Sequence, residues 1–93
     1  MIVGIVDVEL YLPQVCSLKE KRSVIKSLKQ KILNKFNVSI SEVYFLDKWQ
    51  RSALGLGVVT TETAHLDSVI TKLESFIDQE SSVIITRWDM RMV

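Results

Sequence analysis

At the start of the chain, Ile2, Gly4, Val6, Val8, Leu10 and Leu12 alternate with Val3, Ile5, Asp7, Glu9 and Tyr11. Alternate residues of an extended strand point to opposite faces, so this pattern describes a strand with one wholly apolar side. That side has to be covered by a second layer, while Asp7 and Glu9 mark the other side for water. Pro13 ends the strand, because proline has no N–H to give to a ladder.

The covering layer is legible further on. Ser17 followed by Glu20 has the spacing of a capping box and predicts a helix start. Leu18, Ile25, Leu28, Ile32 and Phe36 then recur at intervals that stack on one helical stripe, with Asn37 as its terminator. Val38 to Leu46 is rich in β-branched and aromatic residues and predicts a second strand, followed by a polar turn at Asp47 and Lys48. Ser52 to Thr61 predicts a third. The interval between these two strands is too short for a crossover helix, so they form an antiparallel hairpin with Trp49, Gln50 and Arg51 near its tip. Leu66, Val69, Ile70, Leu73, Phe76 and Ile77 give a second amphipathic helix, capped by Thr61 or Thr63, and Val83 to Met92 is the fourth strand.

The order βαββαβ with right-handed crossovers assembles into a ferredoxin-like α+β sandwich: one domain over residues 1–93, a four-stranded antiparallel sheet in the order 4-1-3-2, and both helices on one face. On the open face, strand four lies beside strand one. Arg87, Asp89 and Arg91 alternate there, and the two arginines are expected to pair with Asp7 and Glu9 at about 0.2 to 1 kcal/mol per pair.

The 93 residues are 47% hydrophobic and 25% charged, with one Pro and three Gly, which suits one packed core and argues against disorder. No apolar run approaches the roughly 20 residues of a membrane span. Met1 to Asp7 has no basic segment of the kind that opens a signal peptide, and the single cysteine, Cys16, fits a reducing compartment. A soluble, cytoplasmic protein is expected.

Net charge is only +1, but it is unevenly distributed. From Ser17 to Phe36 the seven bases Lys19, Lys21, Arg22, Lys26, Lys29, Lys31 and Lys35 face Glu20 alone. From Glu62 to Glu80 five acids face Lys72 alone. On a helical projection the lysines of the first helix spread over the polar arc, as on an ordinary solvated face. Lys21 is the exception. It projects near the centre of the apolar stripe, where a charged side chain has to snorkel past the end of the core or meet a partner.

Residues that could carry catalysis are sparse. His65 is the only histidine, no CxxC or HxxxH spacing occurs, and Cys16 has no identifiable base. Neither a metal, a cofactor nor a small-molecule substrate is expected, and the chain reads as noncatalytic. Gly55-Leu-Gly57 falls inside a strand, whereas a phosphate loop needs a strand-to-helix junction, so close packing or a bulge is the better account. RNA readout by stacking on the central strands is also disfavoured, since strand three has no aromatic and strand one has only Tyr11 near its end.

The runs Ser17-Leu-Lys-Glu-Lys-Arg-Ser-Val-Ile-Lys-Ser-Leu, Phe36-Asn-Val-Ser-Ile-Ser-Glu-Val and Trp49-Gln-Arg-Ser-Ala-Leu-Gly resemble the YlxP-like family, a bacterial family classified as a domain of unknown function. The resemblance covers nearly the whole chain. It implies a ferredoxin-like fold, no established activity, and genes beside those for translation initiation and ribosome-binding factor A. Lys19, Lys21, Arg22, Trp49, Gln50 and Arg51 match the family's polar motif positions.

The expectation is therefore a module that touches structured RNA or a ribosomal surface. Lys19, Lys21, Arg22, Lys26 and Lys29 would meet phosphates, and Trp49, Gln50 and Arg51 would meet a partner. Trp49 either folds back over the sheet edge or serves as an anchor. The alternative expectation is a homodimer that buries Val3, Ile5, Val43 or Phe45 of the open face, or the edge strand carrying Trp88, Met90 and Met92, against a second copy.

Overall fold

A computed structural model describes residues 1–93. The elements are β1 (Ile2–Tyr11), α1 (Leu18–Lys35), β2 (Ser39–Tyr44), β3 (Arg51–Thr60), α2 (Thr63–Asp78) and β4 (Ile84–Met92). The strands form one antiparallel sheet in the order β2-β3-β1-β4, which is the expected order read from the other edge.

Alternation in β1 does what its pattern requires. Val6, Val8, Leu10 and Leu12 are buried and join Leu54, Leu56 and Val58 of β3 in a single core. Ile25, Leu28 and Ile32 of α1 and Leu66, Ile70, Leu73 and Ile77 of α2 close that core from the other side. Gly4 is part of this contact, for a Cβ there would stand 2.5 Å from Cδ1 of the fully buried Leu66. A side chain at that position would have to displace the end of Leu66.

Helix α1 starts at the expected cap, with Ser17 Oγ accepting from Glu20 N–H at 3.1 Å. The Glu20 carboxylate accepts from Cys16 N–H at 3.1 Å, one residue before the position a capping box uses. The helix ends with Phe36 as its C-cap, one residue before the expected Asn37. Helix α2 departs from expectation. Its N-cap is Glu62, between the two threonines proposed, and Glu62 makes no side-chain cap bond.

The ion pairs of the open face are also redistributed. Glu9 lies opposite Arg87 and pairs with it at 3.5 Å, as expected. Asp7, however, lies opposite Asp89, and Arg91 lies opposite Ile5. The β1–β4 register therefore offers the Asp7 carboxylate a like charge directly across the ladder. Glu9 instead takes a second partner, Arg51 of β3, at 3.2 Å.

Gly55 and Gly57 sit within β3, as expected, and Gly55 leaves room on the open face for Val43 of β2. A Cβ on Gly55 would stand 3.1 Å from Val43. The register irregularities lie elsewhere, in β2 between Glu42 and Tyr44 and in the β1–β4 ladder at Glu9 and Leu10. No helix is long and apolar enough to cross a membrane.

Candidate nucleic-acid interface on α1 and the hairpin

Lys21 is buried, with only 1% of its side chain exposed. Its stem runs into the core and its ammonium meets Glu42 of β2 at 2.8 Å and the carbonyl of Phe45. Ser52 Oγ donates to the same Glu42 oxygen at 2.7 Å. These bonds satisfy the buried charge, which would otherwise carry a large desolvation penalty. They also remove Lys21 from the expected phosphate contacts, because a side chain paired inside the protein cannot reach a backbone phosphate. Glu42 and Ser52 were not anticipated. Their signal was an acid and a hydroxyl at helix-facing positions of strands whose neighbours there, Ile40 and Leu54, are apolar.

The Lys21 contact is also part of the hairpin. Phe45 has φ of 63°, in the left-handed region that costs a non-glycine residue about 1–2 kcal/mol. Three groups hold it there: Lys21 and the N–H of Lys48 donate to its carbonyl, and the Arg51 guanidinium lies 3.9 Å from its ring centroid. Gln50 ties the hairpin to the β1–α1 loop, its amide donating to the carbonyls of Pro13 and Val15 at 3.3 and 3.1 Å. The expected partner-binding residues thus separate. Gln50 clamps the loop, Arg51 covers Phe45 and pairs with Glu9, and Trp49 stands 54% exposed instead of folded over the sheet edge.

The remaining cations of α1 divide between two flanks. Arg22, Lys26 and Lys29 share one, together lining a groove of about 480 Å³ whose apolar wall is Ile25, Leu33 and Ile40. Glu42 is the only acid in that groove, and it is already paired with Lys21. Lys19, exposed and three residues before Arg22, continues the same line by helical spacing. Lys31 and Lys35 lie on the other flank, toward α2, where Lys31 pairs with Glu80 at 2.9 Å and Lys35 stands over the Phe76 ring. Four of the five expected phosphate contacts therefore form one strip beside the edge strand β2.

No cluster of three His, Cys, Asp or Glu side chains could hold a metal ion, and the exposed Cys16 thiol approaches only the carbonyl of Gln14, at 3.8 Å. The arrangement on α1 can attract and orient an anionic surface.

A family model described as "Protein of unknown function (DUF503)" matches residues 3–90. The chain belongs to the DUF503 family. "Uncharacterized protein YlxP" of Bacillus subtilis (strain 168) is 34% identical to this DUF503 chain over 90 residues, which are 92% of this chain and 98% of the relative. Membership in DUF503 agrees with the YlxP-like resemblance of the three sequence motifs. It assigns no ligand or residue role, so a function for this DUF503 chain has to be argued from its geometry.

Proposed function

We propose that this chain is a noncatalytic, cytoplasmic binding module for structured RNA or a ribosomal surface. The observation that carries the reading is the strip of Lys19, Arg22, Lys26 and Lys29 along one flank of α1, beside an apolar groove in which the only carboxylate is already neutralised. Such a strip attracts phosphates through charge and fixes register without reading bases. Its position on a rigid helix against an edge strand suits a shaped, double-stranded or folded target. The exposed Trp49 adds an apolar contact at the adjoining hairpin. The gene neighbourhood implied by the YlxP-like resemblance points the same way.

The test is the double variant Arg22→Glu with Lys26→Glu, assayed by fluorescence anisotropy on a labelled RNA hairpin and by sedimentation with ribosomal subunits. Both side chains are exposed, so the fold should persist, as circular dichroism would verify. Affinity is expected to fall at least tenfold in one of the two assays. Unchanged association by a folded variant rejects the assignment.

A homodimer is the second reading, favoured by large apolar groups around the β2–β3 hairpin: Tyr44 is 67% exposed, Leu46 59% and Trp49 54%. Of the expected dimer surface, Val43 and Met92 are exposed, at 40% and 55%. Trp88 and Met90 pack against the core from β4, and Phe45 is half covered by Arg51. Light scattering over a concentration series decides this reading, since a monomer at every concentration excludes it.

A further inference from the structure

A second groove lies along the flank of α2, apart from Arg22, Lys26 and Lys29. At its base is the end of β3, where Val58 faces the core and Val59, whose side chain turns to the other face of the sheet, contributes backbone, and Lys35, Phe36 and Asn37 close it where α1 ends. Its volume is about 650 Å³, within the range of small-molecule sites. Phe36 and Phe76 meet edge to face, with ring centroids 5.6 Å apart, and Val69 continues the apolar wall.

The charges around this groove are sorted. Its titratable side chains are Lys35, His65 and Lys72, and no carboxylate lines it. This is unexpected for α2, whose other charged residues are Asp67, Glu74 and Asp78. At about 100° per residue those three acids fall on the side of the helix opposite His65, Lys72 and Phe76. The helix therefore carries three strips: a buried one of Leu66, Ile70, Leu73 and Ile77, an acidic one toward water, and one that brings its only lysine and only histidine to an apolar wall. Lys35 enters from α1 with its ammonium 5.0 Å from the Phe76 ring centroid, already positioned above that wall. A solvated helix face needs no such separation of sign, and an apolar wall of Val69 and Phe76 with cations at its edge is the complement of an apolar body with an anionic end.

We propose that this groove binds a small amphipathic anion, a ring or short acyl chain bearing a phosphate or carboxylate. The apolar body rests against Val69 and Phe76, and the anionic end lies between Lys35 and Lys72. The inference stands independently of the RNA reading, which uses the other flank of α1.

The experiment titrates the isotope-labelled full chain with 1-naphthyl phosphate and follows its amide resonances. Inorganic phosphate and neutral 1-naphthol serve as the two half-ligands, while octanoate and adenosine monophosphate distinguish an acyl carboxylate from an aromatic phosphate as the preferred form. Saturable shifts at Phe36, Val59, His65, Val69 and Lys72 are expected, with affinity at least tenfold above either half-ligand. Lys35→Gln with Lys72→Gln should lower it at least tenfold, whereas Arg22→Glu with Lys26→Glu should leave it unchanged. Shifts centred on residues 19–29, equal binding of inorganic phosphate, no saturation, or full affinity in the Lys35→Gln, Lys72→Gln variant would each overturn the proposal.

Discussion

Lys21 crosses the edge of the core before its ammonium reaches Glu42, so its aliphatic stem packs with the stripe of α1 and its charge ends beside a carboxylate that is 16% exposed. Removing one partner of such a pair strands the other charge, which is more damaging than removing both. Lys21→Met is expected to lower stability by about 3 kcal/mol in urea denaturation, and Lys21→Met with Glu42→Leu should recover part of the loss. A neutral Lys21→Met would show that the pair does not hold the hairpin to the helix. At Gly4 the constraint is steric. Alanine there would press on Leu66, which is surrounded on all sides, and should cost about 1–3 kcal/mol, read as a lower denaturation midpoint. The position of Lys21 on an apolar stripe was legible from the sequence, as was its need for a partner. The partner was not, because which residue of β2 lies above the first turn of α1 depends on how strand and helix pack.

The two helices are secured differently at their N-termini. In α1, Ser17 satisfies the Glu20 amide and Glu20 reaches back to Cys16, so Ser17→Ala should cost about 1 kcal/mol. In α2 the side chain of Glu62 at the N-cap makes no cap bond, and the shorter carboxylate of Glu62→Asp is suited to reach the amides of the first turn. That substitution is expected to stabilise the protein by about 0.5–1 kcal/mol, visible as a higher thermal midpoint, and no gain would show that the first turn is already satisfied. The irregularity in β2 and the left-handed Phe45 form another such element. Together they turn the chain so that Glu42 faces Lys21 while Val43 packs over Gly55, and the hairpin depends on Lys21, Arg51 and Gln50 to stay in that form.

Across the whole molecule, the cations of one helix serve two separate surfaces. One flank of α1 carries Arg22, Lys26 and Lys29 beside β2, and the other sends Lys35 to the groove of α2. If the first surface binds RNA through three or four phosphates, the logarithm of its affinity should fall with the logarithm of salt concentration with a slope of about −2 to −4, and reversal of Arg22 and Lys26 should flatten it. A salt-independent affinity would place binding on apolar contacts, with the Trp49 hairpin as the first region to examine. In one dimension these cations form a single basic segment. Only the packing of α1 between β2 and α2 assigns each of them to a side.

The elements, their order and the sheet are legible in the chain before it folds, because strand alternation, helical spacing and a short hairpin interval are local properties that admit few assemblies. Even the orientation of β1 followed from its one apolar side. Register and packing set the rest: Asp7 opposite Asp89 instead of an arginine, Glu42 as the partner of Lys21, Trp49 in solvent, and Lys35, His65 and Lys72 along one groove. These groups are far apart in the chain. Their meeting is set by where the core places each strand and helix, and a sliding of one residue along a ladder would change every one of the cross-strand partners.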